Sequence, residues 1–198
     1  MRDGVWRKSQ WLALWLMAAV LAEAADSPAP ATSGSAAAPS AGCLAAGNGF
    51  LRARIRGALN LDIDWKNAEL ECDGSERPNG HGIRLSFAGP TRSGGRRLRM
   101  VFGVATAAEG APGRALPTNL TIIFEGEQRL YSTRGEDRCT IDELREERVG
   151  ALDSSLRSYR VIARGFCTLP AIALDRDERI LVTRFDFAGR VSFDDPPP

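Results

Sequence analysis

Apolar residues fall on odd positions from Leu51 through Ala53, Ile55, Leu59, Leu61, Ile63 and Trp65. The even positions hold Arg52, Arg54, Arg56, Asn60, Asp62 and Asp64, with Ala58 the one break. Period two is the mark of a strand with one buried and one wet face. After Lys66-Asn67 the parity flips, so that Ala68, Leu70 and Cys72 are apolar or small and Glu69, Glu71 and Asp73 are charged. A two-residue turn at Lys66-Asn67 would pair Trp65 with Ala68, Ile63 with Leu70 and Leu61 with Cys72, keeping the apolar set on one face.

The same alternation predicts a third strand over Ile83–Phe87, a fourth over Arg97–Val104 and a fifth over Leu120–Phe124. Gly126-Glu127 suits a type II′ turn into a strand over Gln128–Thr133. The connection Ala105–Thr118, rich in Gly and Pro, is expected to cross between sheets. Cys139–Asp142 reads as a short strand, and Glu143–Leu156 as the one helix, on a partial stripe of Leu144, Val149, Leu152 and Leu156. Tyr159–Cys167 alternates again. Arg179–Phe193 reads as a long strand or bent pair, with Phe185, Phe187, Gly189, Val191 and Phe193 on one face. About eight or nine strands without strand–helix alternation predict an all-β antiparallel sandwich with at most one short helix, a closed β-barrel being the alternative. The large side chains Phe87, Phe102, Phe124, Phe185 and Phe187 are expected to fill its core, which argues against an apolar-ligand carrier.

Composition separates the ends from this domain. Arg2, Arg7 and Lys8 precede a twelve-residue apolar run, Trp11–Ala22, and Ala22-Glu23-Ala24 fits a small-x-small cleavage pattern. Residues 1–24 therefore read as a signal peptide cleaved near Ala24, directing the chain to the periplasm or outside the cell. As a helix the run rises about 18 Å, against a hydrocarbon core of about 30 Å, so no transmembrane segment is expected in the mature chain. Residues 25–42 are almost wholly Ala, Ser, Pro, Gly and Thr and read as a flexible linker. A single β domain is expected over 43–193, and a frayed tail over 194–198.

The chain carries 26 Lys plus Arg and 25 Asp plus Glu; loss of residues 1–24 removes three cations and two anions and leaves 23 of each. No global field then favours nucleic acid. Four cysteines behind an export signal predict two disulfides. Of the three connectivities, Cys43–Cys72 and Cys139–Cys167 are the expected pair.

Candidate chemistry follows from the hairpin register. It would set Asp62 opposite Glu71 and Asp64 opposite Glu69, and opposed like charges destabilise a sheet. Arginines such as Arg84, Arg97 and Arg99 would offset these carboxylates; the alternative is a calcium ion held by Asp62, Asp64, Glu69 and Glu71. Arg92, Arg96, Arg97 and Arg99 around the Gly89–Gly95 turn form a candidate anion site, because arginine grips phosphate and sulfate bidentately. His81 is the sole histidine and sits in a Gly-rich loop. Neither a GxSxG elbow nor a nucleotide loop is present. These features predict an exported, non-catalytic module without a cofactor, binding an envelope protein, glycolipid or polysaccharide. The alternative is a polysaccharide hydrolase using two carboxylates, recognisable by a concave groove with one carboxyl of raised pKa.

Overall fold

The computed structural model describes residues 42–91, 95–149 and 156–194. The segments read as signal peptide and linker, apart from Gly42, lie outside the described residues, as do Arg92 and residues 195–198. Eleven strands follow in order: β1 (Phe50–Gly57), β2 (Leu61–Lys66), β3 (Glu71–Glu76), β4 (Ile83–Pro90), β5 (Arg97–Val104), β6 (Gly113–Glu125), β7 (Arg129–Ser132), β8 (Cys139–Val149), β9 (Leu156–Cys167), β10 (Ala171–Ala173) and β11 (Arg179–Asp194). A single 3-10 turn, Asn67–Glu69, is the one helical element among the described residues.

All eleven strands join one sheet, antiparallel except for a lone parallel bridge between Ser75 and Ser192. It doubles over its own core in a sandwich-like arrangement. β3, β4, β5 and β7 lie to one side with the second half of β6; β2, β1, β11, β9 and β8 lie to the other. β6 serves both, pairing with β8 through Gly113–Thr118 and with β5 through Thr118–Glu125. Between the layers Phe87 of β4 meets Phe187 of β11, and Phe102 of β5 meets Phe185 and Phe187, each at a centroid separation of 4.9 Å. Phe124 is buried with them, so the expected aromatics do fill the core.

Two local expectations are corrected. The first is the hairpin at Lys66-Asn67. β2 pairs instead with β1, setting Leu51 opposite Trp65, Ala53 opposite Ile63 and Ile55 opposite Leu61, while β3 pairs with β4. The turn lies between Ile55 and Leu61, where Gly57 takes φ +116°. Partners on the two arms are both odd-numbered, so the alternation runs through the turn unbroken and a hairpin resembles one long strand. The second is the helix over 143–156: residues 143–149 continue β8, Leu156 opens β9, and the part between lies outside the described residues. The register against β9 slips between Ile141 and Glu143, a bulge that moves the buried face from Ile141 to Leu144. That three-residue step imitates a helical period.

Cys43 bonds Cys72 and Cys139 bonds Cys167. Disulfides of this kind fit an extracellular or periplasmic protein. No helix among the described residues is long and apolar enough to cross a membrane.

Candidate binding face

The outward side of the β2–β1–β11–β9–β8 layer is ionic, and register decides which charges meet there. One row reads Asp64, Arg52, Asp186, Arg164, Glu143, Arg114, crossing six strands from β2 to β6 with strictly alternating sign. Arg52 donates to Asp64 at 3.2 Å and to Asp186 at 3.4 Å, and Arg164 lies 3.0 Å from Glu143. The hydrogen bond from Lys66 holds the Asp64 carboxyl below its ordinary pKa, burial opposing and Arg52 assisting. Arg145 does the same for Glu143, Arg164 and Arg114 adding to it.

The neighbouring rows are not balanced. Asp62 stands opposite Arg54, and Arg54 opposite Arg184. Arg54 and Arg56 both turn to Asp62, at 3.5 and 2.8 Å. Among the described residues no carboxylate comes within ion-pair distance of Arg184. Farther along β11, Arg190 opposes Arg160, whose guanidinium is 2.8 Å from Glu147. The layer therefore carries a surplus of arginine in a chain whose total charge is only +1. Arg54 and Arg184 border a groove of 220 Å³ with Arg52, Asp62 and Asp186. A second groove of 270 Å³, lined by Phe50, Glu143, Arg145, Ile162 and Arg164, also reaches Asp186.

Of the four carboxylates expected to converge, Asp62, Asp64 and Glu69 border one cleft of 520 Å³ and Glu71 does not, and each has a partner of its own. Asp62 and Asp64 face Arg54 and Arg52 across the β1–β2 hairpin; Glu69 accepts the Lys66 backbone N–H at 3.0 Å; Glu71 lies 2.9 Å from Arg97. The separation of Glu71 follows from the corrected register, since β2 and β3 are not neighbours. Among the described residues no group of three or more His, Cys, Asp or Glu side chains is placed to hold a metal ion.

The arginines at the β4–β5 turn are already engaged. Arg96 pairs with Glu127 at 3.2 Å, Arg97 with Glu125 at 3.1 Å, and Arg99 with Glu125 at 2.6 Å and the Ser86 hydroxyl at 2.8 Å. Burial pushes the Glu125 carboxyl up, and the two guanidiniums outweigh it, so its pKa lies below the ordinary value. Among the described residues Arg184 and Arg190 have no carboxylate within ion-pair distance and escaped the sequence reading; Arg84, which that reading paired with the acidic hairpin, has none either and lies on β4 away from it. The signal for Arg184 and Arg190 was present: they lie on the wet side of the strand carrying Phe185, Phe187 and Val191, but what opposes them depends on pairing.

A second group sits at one end of the sandwich. Glu109, in the β5–β6 connection, takes the Arg157 guanidinium at 2.7 and 3.1 Å. That bond, with one from the Tyr159 hydroxyl, holds its pKa down against burial. On β8, burial raises the Glu146 carboxyl, the Gly110 N–H at 2.7 Å opposing and the Glu109 charge reinforcing. Beside them a cleft of 460 Å³ is lined by Glu76, His81, Glu109, Arg157 and Asp194. No family model, no curated protein and no solved structure matches this chain.

Proposed function

We propose that the protein is an exported, non-catalytic binding module whose arginine-rich sheet face takes an anionic component of the cell envelope. In this reading a signal peptide cleaved near Ala24 delivers the chain, and residues 25–42 tether the domain. The reading rests on one observation, the opposition of Arg54 and Arg184 beside a groove lined by three arginines, Arg52, Arg54 and Arg184, and two carboxylates, Asp62 and Asp186, both already paired with arginine. Opposed like charges cost stability, and an anion between them offsets that cost. Titration of the purified protein with three anionic probes tests it: hyaluronan, phosphatidylglycerol vesicles and polyglutamate, each at low and high salt. At least one binds at low salt and weakens as salt rises. If none binds, the reading fails.

A second reading, a hydrolase using two carboxylates, draws on Glu109 and Glu146, one held ionised and one pushed towards its protonated form. That divergence is the pattern of a base and an acid. It ranks second because Glu146 does not line the cleft that Glu109 borders. Release of reducing ends from a polysaccharide by the native chain, abolished in Glu146→Gln, would promote it.

A further inference from the structure

We propose that β2, the open edge of its layer, is a docking strand. It takes an extended segment of another protein in which Lys or Arg alternates with apolar residues, added antiparallel to β2 as a further strand. This site is separate from the arginine-rich face and does not depend on it.

β2 pairs with β1 and with no other described strand. Residues 60–65, drawn from both faces of the strand, line a single cleft of 520 Å³, as they do when the rim of the strand looks into it. Hydrogen bonding sets the phase of that rim. In an antiparallel ladder, successive residues of one strand turn their N–H and C=O groups to opposite sides. The Lys66 N–H turns away from β1 to the Glu69 carboxylate at 3.0 Å, and across β1 the Ala58 N–H reaches the Arg179 carbonyl at 3.0 Å. Even-numbered residues of β1 therefore face β11, and those of β2 face the cleft. Asp62 and Asp64 each present an N–H and a C=O there to an incoming backbone. Guards common on sheet edges are missing from β2: it has no Pro and no bulge against β1, and its lysine is its last residue. Trp65 ties the walls of the cleft together through its N–H on the Pro90 carbonyl at 2.8 Å.

Register dictates what an added strand must carry. An antiparallel newcomer sets two side chains directly opposite Asp62 and Asp64 on the ionic side, and the one between them opposite Ile63. Both aspartates are exposed, as is Glu69, and among the described residues the cleft lining contains neither Lys nor Arg. The cations that meet Asp62 and Asp64, namely Arg52, Arg54, Arg56 and Lys66, come from β1 or from β2 itself, not from the open side. The row of alternating sign that crosses the layer ends at Asp64, so a further strand continues it with a cation. The other side of the rim is apolar. Leu61 and Ile63 are only half-buried, whereas their partners on β1, Ile55 and Ala53, are buried, and an apolar residue on an added strand would cover them. A second copy of this chain is a poor donor. Antiparallel self-pairing centred on Asp62, Ile63 or Asp64 sets carboxylate against carboxylate in each case, and opposed like charges destabilise the pair. A basic, alternating segment meets the same rim with opposite charges and with main-chain bonds, the usual basis of strand addition.

The test uses the full chain and a peptide of about eight residues alternating valine and arginine, with binding read by fluorescence anisotropy and backbone amide exchange by NMR. In the free protein the Asp62 and Asp64 amides exchange freely, while those of Ile63 and Trp65, bonded to β1, are protected. The peptide binds and protects Asp62 and Asp64 as well. A valine–glutamate peptide does not bind, nor does the valine–arginine peptide N-methylated along the side that would face β2. Asp62→Asn and Asp64→Asn each weaken binding about threefold to fivefold, the worth of one exposed ion pair. Glu147→Gln, on β8 at the far side of the layer, leaves it unchanged. Protection of the Asp62 and Asp64 amides in the free protein overturns the proposal, because the edge is then already covered by this chain's own terminus or by a second copy. Absence of binding overturns it, as does binding that leaves those amides unprotected or that the N-methylated peptide shares. Equal binding of the valine–glutamate peptide, or a loss in Glu147→Gln as large as in Asp64→Asn, overturns the choice of a basic partner.

Discussion

Replacing Asn67 by alanine should be among the most damaging single substitutions, although Asn67 lies in a three-residue turn at the sheet edge. Its side chain is buried, 8% exposed. Oδ1 accepts the Leu44 N–H at 2.8 Å and the Gly49 N–H at 3.0 Å, and Nδ2 donates to the Leu44 carbonyl at 3.0 Å. Two glycines make room for it: a Cβ at Gly42 would lie 2.2 Å from the Asn67 carbonyl oxygen, and one at Gly49 would lie 2.6 Å from Oδ1. One amide thus fastens the segment carrying Cys43 to the 3-10 turn. Asn67→Ala strands two backbone donors and one acceptor, each costing about 1–3 kcal/mol when buried and unpaired. Water entering the vacated space recovers part of this, so a net loss of about 3–5 kcal/mol is expected, against a total of about 5–15 kcal/mol for a domain. Urea unfolding followed by circular dichroism reads it as a lower midpoint at unchanged slope. Asn67→Asp, which keeps the acceptor and loses the donor, should fall between. A loss below about 1 kcal/mol for the alanine variant would mean that the amide does not hold this segment, and the reasoning would fail.

Gly89→Ala places a Cβ 2.5 Å from the Trp65 indole, whose N–H is fixed on the Pro90 carbonyl at 2.8 Å; a loss of about 1–3 kcal/mol in urea is expected. Converting Cys139 and Cys167 together to alanine opens a link of sequence separation 28 and should cost about 3–4 kcal/mol, read by thermal unfolding without reductant. Glu146→Gln should raise stability at neutral pH. The native carboxyl, its pKa raised in the fold, is progressively penalised as pH rises from its ordinary value of 4.5 through the raised one, and the gain disappears below 4.5, where both states are protonated. Urea midpoints of the two proteins at either pH check the sign.

The all-β class was legible because alternation survives in most strands: β4, β5 and β9 appear nearly where their period places them. The errors have a common cause in parity. In the β1–β2 hairpin the turn conserves it, so two strands pass for one. At the β8 bulge one extra residue breaks it, so one strand passes for a strand and a helix. β11 has such a break too. Its inward residues are Ile180 and Val182 before the register slips against β1, and Phe185 and Phe187 after it. Alternation reports which side of the local ribbon a residue takes; it carries no record of where the ribbon folds back or gains a residue.

The candidate face was less legible for a related reason. Which side Arg52, Arg54, Asp62 and Asp64 occupy is a property of one strand and follows from period two. Whether a charge is answered is a property of two. The same carboxylates that crowd together under one register become the partners of Arg52 and Arg54 under the other, so a single misplaced turn converts a proposed cation site into half of an ion-pair row. The correction then acts outward. Once Asp62 is shared by Arg54 and Arg56, nothing on β2 is left for Arg184, and the surplus moves to β11. A chain with 26 cations and 25 anions acquires a basic face only through pairing, and its net charge, close to zero, is no guide to what that face attracts.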